Sequence, residues 1–586
     1  MRKMNDNIQA VHRRRGDGRS ERSARAACSR GRGRQRLRPW VTDSRRPASA
    51  RPATVRLPVH SVAAGLARVF RRWALPSLVA FTAASLAPAA PPDARAEVYE
   101  MGDRRELFVD RHRIESMTGS ARLALHAPQP AEIALKFDAP WEGPPSTYVT
   151  VLRDGDKVRM YYRGYWAPPG SGEKGTGRTQ LATRNDGRQF ACMAESTDGK
   201  TFTKPKLGLY EFQGSKENNI VLPHRSHNFA PFVDQRPGVP ADQRYKALMQ
   251  KSSDSALGKE ITGGGLAAFY SPDGIHWRVA INRTVQTGGG YDSHNVAFWD
   301  PNHNEYRAYS RVYPNRVRGI GWPRSSDFLS FTEREQIVID GKPNAPLTAV
   351  AAAPGREDAA QAINADAGKG EHFYTNATVL YMRAPHMYLS FPMRYVPSRS
   401  GLKGHDSTSD AVFLSSRDGT NFDRTFQEAV IRPGRDPLNW GDRNTMPAHG
   451  LIQTGPDEMS IYYTQHYKYP SAHVRRAVWR LDGIASLHAD GLPGEMITKP
   501  FRFTGRTLTL NYATSAAGTI QIEIQDANGK ALPGFTLAEG TKLFGDKIDE
   551  PYTWKTQREV STLAGKTVRL RVALRDADVY SYRFAE

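Results

Sequence analysis

Apolar and polar residues alternate strictly near the C-terminus. Leu508, Leu510 and Tyr512 are interleaved with Thr507, Thr509 and Asn511, and Ile520, Ile522 and Ile524 with Gln521, Glu523 and Gln525, ahead of the turn Asp526-Ala527-Asn528-Gly529. Val568, Leu570, Val572 and Leu574 repeat the pattern, and Tyr580, Tyr582 and Phe584 close the chain. A period of two puts one face of each strand in a core and the other in water. It predicts a small antiparallel β-sandwich over residues 491–586.

A different pattern precedes it. The run 291–312 begins polar (Asp292, Ser293, His294, Asn295) and turns apolar at Val296, Ala297 and Phe298. It crosses a turn at Pro301, Asn302 and Asn304, then returns as an aromatic-rich strand from Tyr306. Four similar hairpins start near Thr147, Asn228, Tyr374 and Asn444. The second strands centre near Tyr161, Ala247, Tyr309, Leu389 and Ile461, an irregular spacing of roughly 60 to 85 residues. Four hairpins are followed by Ser at i, Asp at i+2 and an aromatic at i+6: Ser196/Asp198/Phe202, Ser271/Asp273/Trp277, Ser325/Asp327/Phe331 and Ser416/Asp418/Phe422. Three of these turns carry Gly at i+3 (Gly199, Gly274, Gly419), where a tight turn needs positive φ. Repetition of this kind predicts an all-β chain: a five-bladed β-propeller followed by the sandwich. Blades would end near Pro205, Val285, Ile339, Ile431 and Asp490. A short strand at Leu107–Val109 would complete the last blade and close the ring. Residues 345–370, rich in Ala, Gly and Asp, read as a surface insertion with a short helix near 357–363.

The formal charge of +22 would ordinarily point to nucleic acid or a membrane surface. Residues 1–96 hold 21 Lys and Arg against 5 Asp and Glu, a net +16, which leaves only +6 for the other 490 residues. The basicity belongs to the leader, and no nucleic-acid partner is expected. Arg68, Arg71 and Arg72 precede an apolar run from Trp73 to about Ala90, and Ala94-Arg95-Ala96 fits a small-x-small cleavage site. The run is too short, and too interrupted by Pro76 and Pro88, for a transmembrane anchor. The expected layout is a disordered basic leader plus export signal over 1–96, the propeller over 97–490 and the sandwich over 491–586. The mature chain would be periplasmic or extracellular, with no stable membrane anchor. Cys192 is alone in it, so no internal disulfide is available.

The hairpins, the S-x-D-G-x-x-aromatic turns and the segments ELFVD, PWEG, MYYRG, SHNVAFWD and SDAVFLSSRDG resemble the five-bladed propeller glycoside hydrolases of the family 32 and 43 type. They look closest to exported bacterial proteins described as family 32-like. That resemblance covers about residues 104–586 and implies a carbohydrate substrate. The family's pattern of three acids on the first three blades is not matched: blade two offers Asn228, and the aspartate motif near the mature N-terminus is missing.

In a propeller the polar start of each inner strand faces the central funnel. This selects Tyr148, His227, Asn228, Asp292, His294, Asn295, Tyr374, Asn376 and Asn444 as candidates for substrate contact. Glycosidic cleavage uses two carboxyl groups, one as acid and one as base or nucleophile. Asp292 is the first candidate, Glu142 the second, and Asp410 and Glu428 follow; the alternative for each is a structural carboxylate that caps a turn or pairs with Arg. Arg163, Arg311 and Arg394 each follow an aromatic strand and, if convergent, would clamp an acidic sugar as sialidases do. Trp141, Trp166, Trp322 and Trp440 fall in loop-like contexts suited to stacking on sugar rings. His224, His227, His294, His405, His449 and His466 lack ligand spacing, so no metal and no cofactor is called for. The leading reading is an exported glycoside hydrolase using paired carboxylates. The alternatives are a non-catalytic carbohydrate-binding propeller and a sialidase-like enzyme.

Overall fold

The computed structural model describes residues 98–586 except 169, 172–176, 180–188, 224–225, 252–260, 315–316, 344–370, 398 and 400–406. The expected insertion helix and two of the candidate histidines, His224 and His405, therefore lie outside the described residues. The described chain is almost entirely β-structure, with no α-helix and only short 3-10 turns.

Five sheets, antiparallel except for one parallel pair in the fourth, follow one another along the chain. The first pairs Thr147–Asp154, Lys157–Tyr165, Gln189–Ser196 and Ile220–Leu222 in sequence order. The second runs His227–Val233, Tyr245–Gln250, Gly265–Ser271 and Arg278–Val279; the third runs Val296–Asp300, Glu305–Val312, Gly319–Trp322 and Glu335–Gln336. The fourth is built on Val379–Tyr381, Ala384–Ser390, Leu414–Ser416 and Asn421–Asp423. The fifth joins Met446–Pro447, Glu458–Gln465 and His473–Arg480 to a strand from the other end of the chain, Gln129–Lys136. The N-terminal strand that joins the fifth sheet is thus 129–136, not 107–109 as expected. Arg105–Leu107 pairs antiparallel with Ser581–Arg583 instead, because its buried Arg105 reaches Asp482 and Asp549 in that region.

Each pair of consecutive sheets shares an apolar core. Met193, Phe229 and Phe269 fill the first gap, Phe232, Trp299 and Phe328 the second. Val296, Tyr388 and Leu414 fill the third, Leu389, Ile461 and Trp479 the fourth. Val149, Phe202, Tyr462 and Val474 then pack the fifth sheet against the first, so the series returns to its start.

The four repeated turns are built as the motif predicts. Ser hydroxyls donate to Asp at 2.9–3.1 Å, and each Asp accepts backbone N–H groups across the turn. The turns also lock neighbouring sheets together. Tyr161 donates its hydroxyl to Gly274 O at 2.9 Å, Tyr309 to Gly419 O at 2.7 Å, and Tyr462 to Gly199 O. A Cβ at Gly274 would lie 2.5 Å from the Tyr161 hydroxyl, so the phenol facing each of these turns requires glycine in addition to its positive φ. The turn facing the second sheet carries Phe328 at φ +67°, and there the second strand offers Ala247 where its neighbours have tyrosine.

The C-terminal alternation is realised as read: Leu508, Leu510, Ile520, Ile522 and Ile524 are buried. They belong to a ten-stranded sheet on the long pair Thr507–Asp526 and Val568–Ala585. Strands from the start of the described chain, including Tyr99–Gly102 and Ile114–Gly119, are also part of it.

Candidate functional site at the polar ends of the inner strands

Four inner strands begin with a non-glycine residue in the left-handed region: Tyr148 (φ +57°), Asn228 (+55°), Ala377 (+46°) and Thr445 (+51°). Register shifts follow between Thr147 and Thr150 and between His227 and Ala230. Such bulges re-aim the first side chains of a strand, and strain of this kind collects at functional sites.

The bulges bring a compact group together. Tyr148 and Tyr374 form a small buried hub with Met393 and Met446. The Arg163 guanidinium lies 4.7 Å from the Tyr148 ring centroid, and that of Arg311 lies 4.2 Å from Tyr374. Both arginines are anchored from behind. Arg163 donates to Pro145 O at 2.9 Å and Asn228 Oδ1 at 3.4 Å, and Arg311 to Tyr374 O at 3.2 Å. Asp292 pairs with His227 (Oδ1 to Nε2, 2.8 Å), whose Nδ1 faces Gln189 Oε1 at 2.5 Å. Gln189 and Asp292 thus hold the His227 ring in place through both of its nitrogens.

Electrostatics polarise the group. Burial raises the Asp292 carboxyl, but His227, Arg311 and Arg163 outweigh it and hold the pKa far below the usual carboxylate range. Burial and the neighbouring Tyr374 and Asp292 push the Tyr148 hydroxyl well up. Burial also opposes ionisation of Tyr374, yet Arg443, Arg311 and a hydrogen bond from Tyr148 overcome it and bring its pKa down. Arg443 had no place among the sequence candidates, nor did Asp442, which it engages at 2.7 Å. The offset that selected Asp292, just ahead of an inner strand, would have found both.

Other candidates serve elsewhere. Glu142 is fully buried, accepts from Tyr162 at 2.5 Å and from Lys204 at 2.6 Å, and caps the turn at Ala139 N; it shares no contact with Asp292. Arg394 does not converge with Arg163 and Arg311. On strand Met393–Val396 alternate side chains face opposite ways: Met393 joins the hub, while Arg394 forms a fork with Asp410 (2.8 and 2.6 Å) and reaches Glu371 at 2.9 Å. Glu428 lies beside that second cluster. Asn228, Asn295 and Asn376 are buried and donate to backbone carbonyls; Asn228 and Asn376 tie neighbouring sheets together, and Asn295 braces its own loop at Tyr291 and Ser293. His294 is buried deeper in the hub, 3.0 Å from Thr150 Oγ1 and edge-on to His449. Trp166 and Trp141 pack edge-on against Phe212. Trp440 stays exposed. No group of three or more His, Cys, Asp or Glu able to hold a metal occurs among the described residues. None of their helices is long and apolar enough to cross a membrane.

No family model and no curated protein matches this chain. Solved structures do resemble it at low identity. One described as a glycoside hydrolase is 12% identical with a TM-score of 0.37, covering 60% of this chain and 92% of its own. A glycoside hydrolase family 43 arabinoxylan arabinofuranohydrolase from Bacillus subtilis is 10% identical with a TM-score of 0.34, covering 76% and 96%. A β-1,2-mannobiose phosphorylase from Listeria innocua is 14% identical with a TM-score of 0.34, covering 60% and 97%. Likenesses this distant leave the chemistry to be argued from the residues.

Proposed function

We propose that the five sheets form a five-bladed β-propeller and that the protein is an exported glycoside hydrolase acting at the hub on a sugar that bears a carboxylate or sulfate. The observation that carries this reading is the placement of Arg163, Arg311 and Arg443 around the Tyr148–Tyr374 pair, beside an ionised Asp292. Guanidinium groups anchored from behind bind an anion with little loss of side-chain freedom. In this reading Asp292 is the charged base or nucleophile, His227 holds it and carries a transferable proton, and Tyr374 supplies the second polar group at the reacting centre.

Hydrolysis of uronate-bearing or sulfated oligosaccharides, compared with neutral ones, tests the proposal. Arg311→Ala should raise KM for the anionic substrates by about tenfold or more and leave neutral ones unaffected. Asp292→Asn should lower kcat by roughly 10²–10⁴-fold. Equal turnover of neutral and acidic substrates would remove the arginine role.

A second reading, a non-catalytic carbohydrate-binding propeller, is favoured by one observation: the candidate partner carboxylate Glu142 is consumed by Lys204 and Tyr162. Saturable glycan binding without product over long incubation would establish that alternative.

A further inference from the structure

The Arg394 cluster borders a separate cavity of about 670 Å³, and we propose that this cavity is a second saccharide site, one that takes a neutral sugar ring against Trp440. Its size falls within the range of small-molecule sites, ~300–1,000 Å³. The inference does not depend on the chemistry at the hub.

Trp440 is 38% exposed, one of few large apolar side chains in the described protein that face solvent. Its loop is held firmly. Asp436 caps the turn Pro437–Asn439 by accepting Leu438 N–H at 3.0 Å, Asn439 donates to Pro433 O at 3.1 Å, and the indole N–H donates to Gly434 O at 2.9 Å. The indole's one polar group is therefore engaged, and its face is left available for apolar contact, as stacking on a sugar's C–H surface requires.

The cavity wall also carries acceptors that the protein leaves without hydrogen bonds, Gln427 Oε1 and Thr408 Oγ1, whereas Glu371 Oε2 faces the Arg424 guanidinium at 3.5 Å. Thr408 is only 6% exposed, so water does not readily compensate its oxygen. Arg394, gripped by Asp410 and Glu371, cannot swing to do so. Leaving a buried acceptor unpaired is unfavourable, and a ligand hydroxyl that donates to it removes that penalty.

The demand for donors selects the ligand. A phosphate or carboxylate offers none and would meet Glu371, Asp410 and Glu428. A cation would meet the guanidinium groups of Arg394, Arg399 and Arg432. A neutral, hydroxyl-rich ring with one apolar face satisfies both walls.

Full-length protein labelled with 5-fluorotryptophan provides the test, with xylohexaose, arabinohexaose, mannohexaose and maltohexaose as probes. The ¹⁹F resonance of Trp440, assigned by its absence in Trp440→Phe, should shift saturably with at least one probe, with a Kd below about 5 mM. Calorimetric affinity for that probe should fall about tenfold or more in Trp440→Ala and persist in Asp292→Asn. Thermal melting of both variants checks that they are folded. The proposal is overturned if no probe moves the resonance, if Trp440→Ala binds like the parent, or if Asp292→Asn abolishes binding, which would assign the sugar to the hub instead.

Discussion

Asp292 and the buried hub histidines respond to pH in different ways. Asp292 stays ionised through the neutral and mildly acidic range, because its folded pKa lies below that of the free side chain. An acid limb in kcat/KM between pH 5 and 7 should therefore report another group, and pH–rate profiles of the parent and Asp292→Asn will show whether it does. Burial and the neighbouring His449 push His294 down to about 3, and burial pushes His449 down to about 4. A base whose folded pKa is depressed contributes no penalty above its unfolded value of about 6.5. As pH falls below that, the unfolded chain binds protons that the fold refuses, at up to ~1.4 kcal/mol per pH unit for each residue. Urea unfolding at pH 7 and pH 5 should show stability falling by about 2–4 kcal/mol, and the double variant His294→Gln/His449→Gln should lose much of that dependence. The candidate amides illustrate the limit of residue-by-residue reading. Asn228 and Asn376 have the polarity of ligand contacts, but a buried backbone carbonyl within reach claims them first.

At the scale of elements, the repeated turn is both the motif most legible in the sequence and the device that joins sheets. Its Ser-x-Asp geometry is local, so the chain alone specifies it. The reason for its glycine is not local: the Tyr161 phenol of a neighbouring sheet fills the space a Cβ would need. Gly274→Ala should accordingly destabilise by about 2–3 kcal/mol, combining φ strain with overpacking, whereas Tyr161→Phe should cost only about 1 kcal/mol for the lost hydrogen bond. Denaturant midpoints at constant m-value will separate the two. Strand alternation decides the fate of the arginines in the same way. Arg394 stands one residue from the hub-facing Met393, and that single step sends it to the opposite face, among Glu371 and Asp410.

For the whole molecule, the strand that the fifth sheet borrows from the other end of the chain is the governing feature. The fifth sheet takes its outer strand from Gln129–Lys136 and packs on the first through Tyr462 and Val474. Deleting residues 98–136 should therefore expose the edge of His473–Arg480 and yield aggregated protein, while removing 1–96 should leave the melting temperature within about 2 °C of the parent. Size-exclusion chromatography and calorimetry read both outcomes. If the leader is an export signal, the secreted chain will begin at Glu97, which mass spectrometry of the exported product will establish.

The sequence by itself determined the features set by near neighbours in the chain. These are the β character, the five hairpins, the Ser-x-Asp turns, the C-terminal alternation and the concentration of positive charge in the first 96 residues. Each depends on a periodicity or a turn chemistry that a few consecutive residues encode. Only the tertiary structure decided which strand closes the fifth sheet, which arginines meet, and that Glu142 is sealed beside Lys204 while Asp292 stands beside His227. Those outcomes turn on register and on packing between residues hundreds of positions apart, and a one-residue shift reverses the face on which a side chain emerges.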